Sequence, residues 1–262
     1  MITDMMAKSS WGQRLSWASF ALSIGGLLVA LIAAAGSGAG LWQFGIGFAI
    51  LRYAFYAAIL GGLLAIVAFA IAQRGGISTL RLNLISFVIA ATFVIYLTNQ
   101  IATAKSVPAL HDVTTNLVDV PQFETLKVRA DNLEGIPDEG RPDLAALDPE
   151  NRWKALHREA YGDIRTLRVA KNPEDAVRQI EALIAARGWQ LAQVNLQAGT
   201  VEATATTLFF RFKDDVIVRV RADPIRPGGS LVDMRSISRV GGSDVGVNAK
   251  RIRAFLADLR SA

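Results

Sequence analysis

The chain has 262 residues, a formal net charge of +5 and a mean hydropathy of +0.31, enough for one membrane region and one soluble domain. Residues 1–104 carry Lys8, Arg14, Arg52, Arg74 and Arg81 against Asp4 alone, so the surplus charge reads as flanks of membrane spans before it reads as a nucleic-acid footprint. Cysteine is absent, which excludes disulfides, thiolate metal sites and cysteine nucleophiles.

After a polar lead over Met1–Trp17, residues 18–35 form an uncharged apolar run close to the roughly 20 residues that span a bilayer core, and predict a first transmembrane helix. A cleaved signal peptide ending at Ala33-Ala34-Ala35-Gly36 is the alternative, although the run exceeds a usual apolar core of about 7–15 residues. Gly36–Gly40 reads as a tight loop. Leu41–Leu51 is apolar again, Arg52 interrupts it, and residues 53–72 supply a second helix. Trp42, Phe44, Tyr53 and Tyr56 gather near Arg52 as interfacial anchors around a snorkelling arginine. A loop over Gln73–Arg81 leads to a third helix at residues 82–101, which completes a 1–104 membrane region. Lys8, Arg14, Arg74 and Arg81 fall on one side, and Arg52 and Lys105 on the other. That bias predicts an inner (plasma) membrane protein with a cytoplasmic N-terminus and everything after Lys105 outside.

Residues 105–150 are rich in turn formers. From Pro108 to Glu150 ten acids face Lys127, Arg129 and Arg141, so this is an acidic linker or a strap laid on a folded surface. Residues 151–262 predict an α+β domain. A short helix runs over Glu150–Tyr161 and a strand over Ile164–Val169. A helix follows from Pro173 to Gly188 with Asn172 as its N-cap. Strands over Trp189–Leu196, Thr200–Phe212, Val216–Ala222 and Leu231–Ser238 precede a last helix ending at Leu259. The expected architecture is an antiparallel sheet of about five strands with two helices on one face.

Period two places Phe210, Phe212, Val216, Val218 and Val220 on the helix side, and Arg211, Lys213, Asp215, Arg219 and Arg221 on the other. One register sets Arg221 opposite Asp233 and Arg219 opposite Arg235, a like-charge pair that calls for an anion between them. From Ala205 to Arg260 eleven cations stand against six acids, opposite in sign to the strap. The expectation is a basic outer sheet face carrying Arg211, Arg219, Arg235 and Arg239, covered by the strap or by an anionic ligand. Asp214, Asp215, Ser236, Ser238, Ser243, Asp244 and Asn248 are the polar candidates around it. Free N–H groups of the Arg239–Asp244 loop offer an anion site, but Ser243 and Asp244 are equally suited to cap the helix that follows. Enzyme templates are missing: there is no P-loop, His-Glu-x-x-His, Gly-x-Ser-x-Gly or dinucleotide fingerprint. No metal or cofactor is expected. The weak catalytic candidates are His111 and Asp112, as a base with a serine nucleophile from Ser236, Ser238 or Ser243; a structural polar pair is the competing reading.

The segments Val107–Thr115, Tyr161-Gly162-Asp163-Ile164, Gly188-Trp189, Phe212–Asp215 and above all Arg235-Ser236-Ile237-Ser238-Arg239-Val240-Gly241-Gly242-Ser243-Asp244-Val245-Gly246-Val247-Asn248 resemble the bacterial and plastid domain-of-unknown-function family 1499. Asn116 and Gly162 stand where that family often has Asp and Pro. The resemblance implies a shared fold, membrane association and a folded unit that includes His111-Asp112, and it supplies no activity. Two working classes follow. One is a non-catalytic domain that binds a membrane lipid headgroup, another anionic ligand or an envelope partner, with no nucleic acid. The other is an envelope enzyme acting on a lipid or cell-wall precursor through His111-Asp112 beside Arg235 and Arg239. A structural subunit packing through its small-residue helices is a third possibility.

Overall fold

A computed structural model describes residues 2–75 and 79–261. Part of the predicted Gln73–Arg81 loop, residues 76–78, lies outside the described residues, as do the side chains of Lys8 and Arg74. The chain divides into two compact units: Met1–Ala102 together with Leu208–Arg211, and Thr103–Thr207 together with Phe212–Ala262.

The first unit is helical. Helices α1 (Ile2–Gly38), α2 (Phe44–Gly75) and α3 (Leu80–Ser106) are long and apolar enough to cross a membrane over Trp11–Gly38, Phe44–Gln73 and Leu80–Ser106. All three extend beyond the predicted spans. The lead before Ala18 is already helical from Ile2, and α2 begins at Phe44, so Arg52 lies within a continuous helix instead of at its end. Its guanidinium lies over the Tyr53 ring at 5.5 Å. The α1–α2 seam is built from small residues: a Cβ at Gly26 would stand 2.9 Å from the Ala54 carbonyl oxygen, and one at Gly61 2.8 Å from the Ser23 nitrogen. Without hydrophobic contrast between helix and lipid, such close backbone approach is what holds apolar helices together. Ser19 adds a hydrogen bond to the Gly61 carbonyl at 2.9 Å, and Ser16 one to the Thr79 hydroxyl at 3.1 Å.

The second unit is a six-stranded antiparallel sheet with helices. Its strands are β1 (Asp112–Thr114), β2 (Leu167–Val169), β3 (Gln190–Asn195), β4 (Thr200–Thr206), β5 (Lys213–Ala222) and β6 (Ser230–Ser238). The order is β1-β6-β5-β4-β3, and β2 shares the outer edge of β6 with β1. Helices α4 (Pro142–Ala145), α5 (Pro149–Tyr161), α6 (Pro173–Ala186) and α7 (Val247–Ser261) complete it. Alternation sorts the sheet. Val201, Ala203, Val216, Val218, Val220, Val232 and Met234 bury one face with Val177, Ile180, Ile184, Ile252 and Phe255 of α6 and α7. Asp148 and Asn172 cap α5 and α6, accepting N–H bonds from Asn151 and Asp175, with Pro149 and Pro173 at the first helical positions.

The structure departs from the sequence pattern at three points. The strand expected over Thr200–Phe212 ends at Thr206, because the chain turns back: Thr207 N–H donates to the Phe212 carbonyl at 2.9 Å, and Phe212 N–H to the Thr207 hydroxyl at 2.8 Å. Phe210 therefore leaves the helix-facing parity series. The β5–β6 register pairs Arg219 with Asp233 and Ile217 with Arg235, two residues from the one expected, so the like-charge pair does not form. The acidic segment, expected to be a linker or strap, contributes a short strand of its own, β1.

Residues 108–147 are a docked strap. Leu110, Val113, Ile136 and Leu144 enter the hydrophobic core, while the stretch between them crosses the outer sheet face. Glu202, buried on that face of β4, accepts the N–H groups of Glu124, Thr125 and Leu126 at 2.5, 3.1 and 2.7 Å. Three successive backbone donors thus replace the water that this carboxylate gave up. From the other edge, α5 clamps β1: Trp153 Nε1–H donates to the Asp112 carbonyl at 2.9 Å, and Thr114 N–H donates to His157 Nε2 at 3.1 Å.

Candidate functional site

On the outer face the predicted arginines meet carboxylates of the chain itself. Arg235 donates through Nε and Nη2 to both oxygens of Asp112 at 3.0 and 2.8 Å, and through Nη1 to the Pro121 carbonyl at 3.2 Å. Asn132 adds a third donor to Asp112 at 2.7 Å. The Asp112–Arg235 pair is buried, at 1% and 7% exposure. Asp233, wholly buried, takes Arg219 at 3.1 Å, Arg221 at 2.7 Å and the Thr166 hydroxyl at 2.5 Å. Asp119 of the strap binds the same two arginines from outside, and its hydrogen bond to Arg219 holds its carboxyl below the usual carboxylate range. Asp233 of β6 and the strap carboxylates Asp112 and Asp119 together neutralise this part of the face.

The other sequence candidates do not converge on that face. Asp214, Ser236, Ser238 and Asn248 point beneath the start of α7. Ser236 donates to Asn248 Oδ1 at 2.6 Å, Asn248 Nδ2 donates to the Ser238 hydroxyl and the His111 carbonyl at 3.0 Å, and Arg251 pairs with Asp214 at 2.5 Å. This is a closed polar network tying strap, β6 and α7 together. Ser243 and Asp244 cap: Asp244 accepts from Gly246 N–H at 2.8 Å and Asn248 N–H at 2.6 Å, and Ser243 from Val245 N–H at 3.2 Å. Burial raises the Asp244 carboxyl above its ordinary range. Val245 sits at φ 56°, a left-handed conformation costly for a β-branched residue and here held by those caps. Arg211 belongs to the other unit. His111 is buried at 2% exposure, its Nδ1 3.4 Å from the Gly242 carbonyl oxygen. Its neighbour Asp112 is engaged by Arg235, so no Ser-His-Asp relay forms among the candidates.

A cleft lies open at the C-terminal end of β6. A cavity of about 220 Å³ is lined by Phe123, Lys127, Val128 and Arg129 of the strap and by Asp215, Ile237, Ser238 and Arg239 of the sheet. Arg239 donates to both oxygens of Asp215 at 2.8 Å and to the Thr204 hydroxyl at 3.1 Å, yet its side chain is 41% exposed. Arg129 is fixed by Asp131 at 2.5 Å and by the Gly241 carbonyl at 2.6 Å. Lys127 is exposed and, among the described residues, pairs with no carboxylate. The lining therefore carries three cations against one carboxylate, beside the apolar walls of Phe123, Val128 and Ile237. Lys127, Arg129 and Phe123 were missed from the sequence because they lie 110 or more residues before Arg239, on a segment that reads as linker.

Against this geometry, the family model described as protein of unknown function (DUF1499) matches residues 112–259, from the start of β1 to the last turn of α7. The chain belongs to the DUF1499 family. The matched region takes in the strap from Asp112 onward, the Asp112–Arg235 pair and the whole cleft, so in this family member that part of the strap belongs to the domain. The membrane helices lie outside the match. No curated protein matches the chain.

Proposed function

We propose that this DUF1499 protein sits in the inner (plasma) membrane, N-terminus cytoplasmic, and holds its α+β domain outside to bind a small anionic group without catalysis. The cleft between strap and β6 supports the reading. Lys127, Arg129 and Arg239 face one cavity, and Arg129 and Arg239 are already oriented by their own hydrogen bonds, so little ordering remains when an anion arrives. The volume, about 220 Å³, falls below the roughly 300–1,000 Å³ of sites for drug-sized ligands and suits a phosphate or carboxylate group with a short apolar neighbour. Arg14 and Arg81 lie within the first turns of the spans Trp11–Gly38 and Leu80–Ser106, at the ends that the charge bias assigns to the cytoplasm.

The test is a titration of the full chain, in zwitterionic detergent, with inorganic phosphate. Binding is expected to weaken as salt rises. Arg239→Gln should lose about tenfold in affinity, the value of a hydrogen bond to a charged group. Absence of phosphate binding at low salt, or equal binding by Arg239→Gln, overturns the reading.

A further inference from the structure

The turn between β4 and β5 is not accounted for by the cleft. Thr207 and Phe212 close its neck with two hydrogen bonds, and the four residues beyond, Leu208-Phe209-Phe210-Arg211, cluster with the membrane helices. Within that unit the Phe210 ring lies 4.8 Å from Phe48, near the start of α2, and Phe209 lies 6.3 Å from Tyr96, just before the polar end of α3 at Thr98-Asn99-Gln100. The aliphatic stem of Arg211 runs past Gly38, where an added Cβ would come within 3.0 Å of it. Trp42, at the loop that follows α1, donates from its ring N–H to the Ala33 carbonyl at 3.1 Å. Aromatic rings and a snorkelling cation at one level of a helical bundle mark the boundary between headgroups and acyl chains. Here two of the rings and the cation come from residues more than 100 positions downstream of Leu97.

We infer that Leu208–Arg211 is an interfacial anchor that seats the end of the β4–β5 hairpin in the bilayer. Leu208 and Phe209 remain 82% and 46% exposed even after these contacts, and adjoining apolar side chains left open at the level of an aromatic belt have lipid as their natural cover. Arg211 adopts φ 53°, which turns the chain back so that its guanidinium can reach the headgroups while the rings stay below. The occupant is the bilayer because the tip is continuous with the membrane-spanning unit; a soluble partner would need a tip standing clear of it. None of the four residues lines the cleft, so the anchor stands or falls separately from anion binding.

The absence of cysteine in the sequence makes a single-site probe unambiguous. Leu208→Cys carrying an environment-sensitive fluorophore is reconstituted as the full chain in phosphatidylcholine–phosphatidylglycerol vesicles. Ile225→Cys is the reference, a 68% exposed residue in the loop at the opposite end of β5. With iodide on both sides of the bilayer, the probe at 208 should be quenched several-fold less by iodide than the probe at 225. It should also be quenched strongly by lipids bearing a nitroxide near the headgroup, which leave 225 unaffected. Equal iodide quenching at both sites, or no response of 208 to the nitroxide lipids, overturns the inference. A shielded 208 probe that ignores the nitroxide lipids would point to a protein partner and counts against it equally.

Discussion

Replacing Arg235 with Met removes one half of a buried ion pair and leaves the other in place. The Asp112 carboxylate then keeps one side-chain donor, Asn132 at 2.7 Å, in place of three, while it stays 1% exposed under the strap. Breaking a buried pair in this way costs about 3–5 kcal/mol, because the remaining charge is uncompensated. Against a typical total of about 5–15 kcal/mol, that is a large share of the stability of the second unit. At about 2–4 °C per kcal/mol for a domain of this size, the melting transition should fall by about 6–20 °C. The double change Asp112→Asn with Arg235→Met removes both charges and should recover most of the loss, giving a coupling of several kcal/mol in a double-mutant cycle. Thermal unfolding followed by near-ultraviolet circular dichroism measures both. Hydrogen exchange at Asp112, Val113 and Thr114, which pair with Ile237, Ser236 and Arg235, locates the damage at the strap. A single Arg235→Met chain within about 0.5 kcal/mol of the parent, with unchanged exchange there, would refute the docked strap.

Two further outcomes concern other contacts that hold the strap, at His157 of α5 and at Glu202 of β4. His157 accepts the Thr114 N–H through Nε2, and burial lowers its pKa from 6.5 to about 4. The unfolded chain therefore binds a proton that the folded chain refuses between those values. Stability should be unaffected by this group above pH 6.5, fall by about 3 kcal/mol as pH drops towards 4, and level off below. His157→Gln should flatten that part of the stability–pH curve measured by urea denaturation; an unchanged slope would remove His157 from the account. Glu202→Ala leaves the N–H groups of Glu124, Thr125 and Leu126 without their carboxylate. It should raise amide exchange at those residues at least tenfold, on the scale of about 1.5–3 kcal/mol for hydrogen bonds to a charged group. Unaltered protection would show that the apolar strap residues alone hold it down.

Much of this architecture is legible in the sequence where periodicity is undiluted. The three apolar helices, the Asn172-Pro173 start of α6, and the alternation through Val216, Val218 and Val220 each carry one repeating signal. The strap was legible only as charge. Leu110, Val113, Ile136 and Leu144 are spaced too widely to suggest a buried face, and β1 is three residues long. The register of β6 on β5 was misjudged by two residues, since valine parity is the same for both alternatives and only the placing of Arg219 against Asp233 distinguishes them. That shift turned an unmet need for an external anion into an internal ion pair. It moved the candidate site from Arg219 and Arg235, which are paired with carboxylates of the chain itself, to Arg239, which shares its cavity with strap residues that local pattern does not connect to it. The hairpin tip was hidden for a related reason: Phe209-Phe210 continues the strand pattern, and only the neck bonds of Thr207 and Phe212 reveal the turn.

Anion binding in the cleft is read most directly from the nitrogen-15 spectrum of the arginine side chains of the full chain during a phosphate titration. The cleft predicts that the Nε signals of Arg129 and Arg239 shift together along one binding curve. Arg253, which pairs with Asp163 at 2.6 Å away from the cleft, should stay in place. Shifts spread evenly over all exposed arginines, or none at Arg129 and Arg239, would contradict it.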